Sequence, residues 1–226
     1  MQRIIFYGDP HGSYEALLRA TRDSVPQAVV LLGDMGLREA PLDRVLAPLL
    51  EAGVQVAWVH GNHESDSARE YDHLFHSELG DLGLHGRVVE VAGLRMAGLG
   101  GVFRGKVWYP GTDPVFRTRE SHLASFTSRE HWRQGLPLRH RTTIYPEDLD
   151  RLAGLEADVL VCHEAPGCHP HGFAVIDELA RQMGVRLIVH GHQHVDYEDE
   201  IAGVRVRGVA DATAVAMDET LCFEAC

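Results

Sequence analysis

Five short polar blocks, each placed directly after an apolar run, constrain this chain more than any other feature. They are Gly8-Asp9-Pro10-His11-Gly12, Gly33-Asp34-Met35-Gly36, Gly61-Asn62-His63-Glu64, His163-Glu164-Ala165-Pro166 and Gly191-His192-Gln193-His194. Apolar runs alternating with amphipathic stretches are the rhythm of an α/β domain. Open α/β sheets present their ligands at the C-terminal ends of strands, so function is expected on that rim. At 226 residues and 25.0 kDa the chain is long enough for one domain with a sizeable core and short for two, so residues 1–226 are expected to form a single domain.

The local pattern predicts strands at 3–7, 28–32, 54–59, 87–91, 94–99, 159–162 and 186–189. The pair 87–91 and 94–99 reads as a hairpin around Ala92-Gly93. Helices are expected at 13–22, at 42–52 with Gly53 as a stop, and at 175–183 with Gly184 as a stop. A terminal meander follows around Ala202-Gly203 and Ala210-Asp211, and the stretch from Val204 to Cys226 reads as the end of the second sheet, or a dimer edge. The oligomeric state is left open.

Composition excludes several classes. A content of 45% hydrophobic and 24% charged residues is ordinary for a globular domain and removes disordered and fibrous alternatives. No apolar run approaches the roughly 18 to 20 residues of a bilayer span. The first nine residues reach Gly8-Asp9 with too few apolar positions for a signal-peptide core, so a cytoplasmic location is expected. A net charge of −12 argues against uniform non-specific binding to nucleic acid or anionic membrane. Cys162, Cys168, Cys222 and Cys226 show no CxxC spacing and read as free thiols.

The donor types in the five blocks are carboxylate, imidazole and amide oxygen. That set suits borderline divalent cations better than thiolate-loving ones. Asp9 and His11 stand two apart on a turn, so both can face one ion, and His192 and His194 repeat the spacing. The flanking glycines let the backbone turn sharply and approach an anion.

In order, the blocks read DxH, GD, GNH(D/E), H and GHxH, and the chain from about Ile4 to His194 strongly resembles the calcineurin-like metallophosphoesterases. The resemblance implies an α/β four-layer αββα sandwich, helices outside two facing mixed β-sheets, with two divalent metal ions at the strand ends. Manganese is favoured, and iron, zinc, magnesium or nickel are alternatives. Carried over, the first ion is held by Asp9, His11, Asp34 and His194, and the second by Asp34, Asn62, His163 and His192, with Asp34 bridging. Such a pair binds phosphate oxygens, generates hydroxide at neutral pH and stabilises both apical oxygens of an in-line displacement. His63 stays free of metal and assists the departing alkoxide, so His63 and Asp34 are the expected catalytic residues.

Three blocks most resemble the phosphoprotein phosphatase branch, whose middle block reads GDxVDRG. Arg38 then matches a phosphate-binding arginine. Leu37 stands where that branch orients its histidine with an aspartate, which leaves Glu64 as an available substitute.

Residues 101–146 shift in composition. They hold eight Arg or Lys against three Asp or Glu, a local +5 against −17 for the other 180 residues, and seven of the sixteen aromatics. With little periodicity, the segment reads as an inserted basic, aromatic lid. Its layout with Gly98-Leu99-Gly100-Gly101 and His163-Glu164-Ala165-Pro166 is similar to that of the RNA lariat debranching enzymes. Arg104, Arg139 and Arg141 are its candidate phosphate contacts, with rings stacking on bases. The expected function is therefore a binuclear phosphodiesterase acting on nucleotide or nucleic-acid esters. The alternatives are a phosphomonoesterase of phosphoproteins or small phosphates and, from another class, a non-catalytic metal-binding scaffold.

Overall fold

The computed structural model describes residues 3–22, 24–218 and 221–224. The chain begins with three strands of one sheet, β1 (Ile4–Gly8), β2 (Ala28–Leu31) and β3 (Gln55–Trp58), joined through helices α1 (Glu15–Ala20), α2 (Leu42–Val45) and α3 (Ala47–Glu51). After α4 (Ala68–Phe75) it crosses to a second sheet, which takes β4 (Val88–Val91) and β5 (Leu94–Leu99). There follow α5 (Arg119–Leu123), α6 (Pro146–Ala153), β6 (Val159–Cys162), α7 (Ala174–Met183), β7 (Leu187–His190), β8 (Tyr197–Ile201) and β9 (Val204–Gly208). Finally β10 (Thr213–Met217) and β11 (Phe223–Glu224) return to the first sheet. The strand orders are β11-β10-β1-β2-β3 and β4-β5-β6-β7-β9-β8. Both sheets are mixed, parallel where β1, β2 and β3 or β5, β6, β7 and β9 pair and antiparallel at their other ladders.

The layers follow from residue alternation, since successive strand side chains point to opposite faces. Ile4, Phe6, Val30 and Ala57 of the first sheet meet Met96, Val159, Val161, Leu187 and Val189 of the second in one buried layer. Their neighbours Ile5, Tyr7, Val29 and Trp58 face outward onto Leu17, Leu42, Leu49 and Leu74 of the helices. Leu99, Leu160 and Ile188 do the same against Leu152, Ile176 and Leu179. This is the αββα sandwich that the resemblance implies. Strands buried on both faces leave only their ends free to carry polar groups.

Several local expectations change for stated reasons. The single helix expected at 42–52 is two short ones, α2 and α3, because Pro48 has no N–H and sits in the first turn of the second. The Ala92-Gly93 and Ala202-Gly203 turns take positive φ at both residues, as two-residue hairpin loops require. Helix α7 ends on Gly184 at φ 66°. The last segment is not the end of the second sheet: β9 is, but β10 pairs antiparallel with β1 along its whole length. Cys162, Cys168 and Cys222 are free thiols, while Cys226 lies outside the described residues. Among the described residues no helix is long and apolar enough to cross a membrane.

Residues 101–146 leave the body and return beside their start. Val102 donates to the Thr142 carbonyl and Ile144 to the Val102 carbonyl. Val107, Leu136 and Tyr145 form a small core of their own with Phe116, Leu123 and Phe126. The excursion is tied down by Asp148 of α6, fully buried, which takes both guanidinium NH2 groups of Arg119 (2.5 and 2.9 Å) and lies 3.3 Å from His85. Burial alone would raise the Asp148 carboxyl, but His85 and Arg119 outweigh it and hold its pKa well below the ordinary value. A carboxyl depressed in the folded state stabilises at pH values above its unfolded pKa of about 3.9, and this contribution fades as pH falls below that. Asp148→Asn is therefore expected to cost about 3 kcal/mol at pH 7. In urea melts the deficit should shrink at pH 3, and an equal deficit at both pH values would refute an electrostatic role.

Candidate metal centre

The five blocks sit on turns after β1, β2, β3, β6 and β7, and the two facing sheets bring these ends together. Asp9, His11 and His194 form one group whose donor atoms lie within 4.8 Å of one another, and Asp34, His163 and His192 form a second. The groups adjoin: Asp9 Oδ1 is 3.8 Å from His163 Nδ1, and Asp34 Oδ2 is 3.5 Å from His163 Nε2. Asn62 Oδ1 reaches within 3.3 Å of His163 Nε2, so the amide joins the second group. His11 and His194 approach through their Nε2 atoms at 3.3 Å.

Backbone amides aim the donors. Asp34 Oδ1 accepts the N–H groups of Asn62 and His63, both at 2.9 Å, which leaves Oδ2 turned to the imidazoles. Asp9 accepts the His192 N–H at both oxygens. His163 Nδ1–H donates to the Leu32 carbonyl at 2.7 Å, fixing the tautomer in which Nε2 carries the lone pair. Asp9, His11, Asp34, His192 and His194 all have positive φ, between 35° and 67°. A non-glycine residue in this region costs roughly 1 kcal/mol or more, a strain that persists where the surroundings over-determine it.

Two glycines are required by close approach. A Cβ on Gly61 would fall 2.2 Å from Asp34 Oδ1, and one on Gly191 would fall 2.3 Å from Asp9 Oδ2. Gly191→Ala is expected to weaken metal binding at least about tenfold, measured by competition with a chromogenic chelator. Unchanged affinity would show that Asp9 is not held by this turn.

The electrostatics test whether cations fit here. Asp9 and Asp34 are 0% and 2% exposed, and among the ion pairs of the described residues both meet histidines and neither meets an arginine or lysine. Burial drives the Asp9 pKa up to about 6. Burial opposes a charge on His163, yet Asp34 and then Asp9 outweigh it and raise its pKa to about 10. The chain alone thus draws a proton into the middle of its donor set. Buried carboxylates without a protein cation, imidazoles with aimed lone pairs and an amide oxygen are the donors that divalent ions of this type select.

His63 stands at the rim, its side chain 47% exposed, with Nε2 3.9 Å from Asp34 Oδ2. Nδ1–H donates to Asp66 Oδ2 at 2.5 Å. Burial lowers the His63 pKa, but the Asp66 hydrogen bond and the field of Asp34 outweigh it, so the net shift is upward. Asp66 was missed in the sequence; its signal is a carboxylate three residues on, which one turn of 3-10 helix at His63–Ser65 brings round. Glu64, the substitute suggested by adjacency, turns inward instead. It accepts the N–H groups of Met35 and Gly61, each at 2.6 Å, and clips two of the site's turns together.

The four arginines divide. Arg104 and Arg139 border a cleft next to residues 62–66. Arg38 is 82% exposed and its Nε pairs with Glu70 at 3.4 Å. Arg141 is not brought into this cluster: it donates to the carbonyls of Leu136 and Trp132 (3.1 and 2.9 Å) and lines a separate cavity of ≈ 690 Å³ with Trp58, His60 and Tyr71. Most rings of the insert are also engaged, Trp132 edge-on to Tyr71 and Phe103 against Trp108 and Phe173, while Tyr109 is exposed.

An αββα sandwich with carboxylates and imidazoles gathered at the ends of both sheets is an arrangement suited to divalent metal ions. The chain matches the family model of calcineurin-like phosphoesterases over residues 2–196 and belongs to that family, whose members depend on a binuclear metal centre. It is 41% identical over 226 residues to an uncharacterized protein of Haemophilus influenzae, covering 96% of this chain and 97% of the relative. A dimetal phosphatase from Danio rerio superposes with a TM-score of 0.62 at 15% identity, over 95% of this chain and 91% of its own. A phosphopantetheinyl hydrolase from Mycobacterium tuberculosis gives 0.51 at 16% identity, over 92% and 89%. At these identities the solved structures speak for the fold alone.

Proposed function

We propose that the protein is a binuclear, manganese-favouring phosphodiesterase of nucleotide or nucleic-acid esters. Asp9, His11, Asp34 and His194 would hold one ion and Asp34, Asn62, His163 and His192 the other. Bound there, the ions supply Lewis-acid stabilisation of phosphoryl charge and lower the pKa of water. The chain's own part is orientation and proton transfer. The amides of Asn62 and His63 fix Asp34, and the Leu32 carbonyl fixes His163. His63 Nε2 faces the centre and gives its proton to the departing oxygen, while Asp66 holds Nδ1–H and stabilises the charged ring.

The observation that carries this reading is the His63–Asp66 pair at the edge of the two donor groups. It supplies the proton that a poor alkoxide leaving group needs. The monoester alternative relies on Arg38 for the extra charge of a terminal phosphate, and Arg38 is paired with Glu70 at the surface. Metal-stripped protein re-supplied with Mn, Mg or Zn is expected to hydrolyse bis(p-nitrophenyl) phosphate faster than p-nitrophenyl phosphate. A monoester preference would favour the phosphatase, and metal binding without turnover of any ester would favour the scaffold.

A further inference from the structure

Beside residues 62–66 lies a cleft of ≈ 300 Å³ lined by Phe103, Arg104, Gly105, Lys106, Arg139 and His140. Three of these side chains carry full positive charge, and none forms an ion pair with a described carboxylate. Three other arginines of the same insert are neutralised: Arg117 pairs with Asp150, Arg119 with Asp148, and Arg133 with Asp72. Arg104 reaches the Thr142 hydroxyl through one NH2 group at 3.3 Å, and its Nε is buried without a hydrogen-bond partner. Burial and then the neighbouring Arg139 lower the Arg104 pKa. Burial, His122 and the cations around it bring His140 down to about 4, so its ring is neutral at pH 7. Uncompensated like charges at close range destabilise a fold unless something anionic is to be met there.

The cleft is joined to the turn that carries His63. Thr142 Oγ1, which accepts from Arg104, shares a 2.7 Å hydrogen bond with Ser65 Oγ. The same Ser65 hydroxyl lies 3.2 Å from the Asn62 carbonyl and 3.4 Å from that of Arg139. Ser65 sits between His63 and Asp66, so the cations border the side of the centre on which His63 serves the departing oxygen. Arg104 also lies within the electrostatic reach of Asp66 and Glu164.

We propose that this cleft is a second anion subsite, which binds a phosphate carried on the leaving group and makes esters with a second phosphate the preferred substrates. The inference rests on the assignment of His63 to the leaving-group side given above. Two guanidinium forks match phosphate oxygens, Lys106 adds a point charge, and neutral His140 offers a hydrogen bond. On a chain of net −12, a local cluster of this kind also selects which polyanions approach and from where.

The first readout is binding. With manganese-loaded protein, thymidine 3′,5′-bisphosphate is titrated calorimetrically against the 3′- and 5′-monophosphates. The bisphosphate is expected to bind at least about tenfold tighter than either, with a steeper loss on raising salt. In Arg104→Ala/Arg139→Ala the ratio should fall to within about twofold. Should loss of half-buried Arg104 disturb packing, the exposed pair Lys106→Ala/Arg139→Ala carries the same expectation.

The second readout is hydrolysis of dithymidine monophosphate against the same dinucleotide bearing a phosphate at its 5′ or its 3′ end. One terminal phosphate is expected to raise kcat/KM about tenfold or more, and the double variants to erase the preference. Equal affinities together with equal rates, while the plain dinucleotide is still cleaved, would overturn the subsite and leave the phosphodiesterase standing. Preferred binding of the bisphosphate without cleavage of any diester would keep the subsite and overturn the phosphodiesterase.

Discussion

Replacing Asp34 with asparagine is expected to lower phosphodiester hydrolysis by about 10³-fold or more while leaving the fold intact. Oδ1 of Asp34 holds the Asn62 and His63 amides, and Oδ2 lies 3.5 Å from His163 Nε2. An amide of the same shape keeps its oxygen on those two N–H groups and must then turn its NH2 into the donor set. There it removes the carboxylate proposed to bridge the two groups and puts hydrogens where a cation would sit. Losing Lewis-acid stabilisation of several kcal/mol, at 1.36 kcal/mol per decade, gives the expected magnitude. The check is metal content by emission spectrometry beside turnover. A variant that retains two ions and near-normal rates would refute the bridging role.

His63→Ala should lose about 10² to 10⁴-fold, and the size of the loss should depend on the leaving group. An alkoxide needs a proton as the P–O bond breaks, whereas p-nitrophenolate departs without one. The variant is therefore expected to fail on a dinucleotide far more severely than on bis(p-nitrophenyl) phosphate. Asp66→Asn should fall between, at about 10 to 100-fold, because it misorients the ring without removing it. The same loss on both esters would mean that His63 stabilises charge and does not transfer a proton.

Much of the site is legible in the sequence because each proposed ligand closely follows a buried strand. Asp9, Asp34, Asn62, His163 and the His192/His194 pair follow β1, β2, β3, β6 and β7 after one to four residues, so locating the strand ends locates the donors. The groups that tune these ligands are less legible. Asp66 becomes the partner of His63 only because residues 63–65 close a 3-10 turn, while Glu64, the nearer carboxylate in sequence, is drawn inward by two amides, that of Gly61 in its own turn and that of Met35 in another. Arg104, Arg139 and Arg141 share one basic segment, yet Arg141 is captured by backbone carbonyls of the insert and only Arg104 and Arg139 reach the cleft beside the centre. The aromatics of that segment look available in composition and are mostly used as packing.

The amino-acid sequence by itself determined the α/β class, the two Ala-Gly turns, the free thiols at 162, 168 and 222 and the ordered series of metal-type donors, because each depends on neighbours a few residues away. Only the tertiary structure decided that β10 closes the first sheet against β1, that Asp148 anchors the insert, and that three cations without an ion pair to a described carboxylate line a cleft linked through Thr142 and Ser65 to the turn that carries His63. Those outcomes depend on which distant carboxylate or carbonyl reaches a charged group first, and that competition is settled by packing across the two sheets.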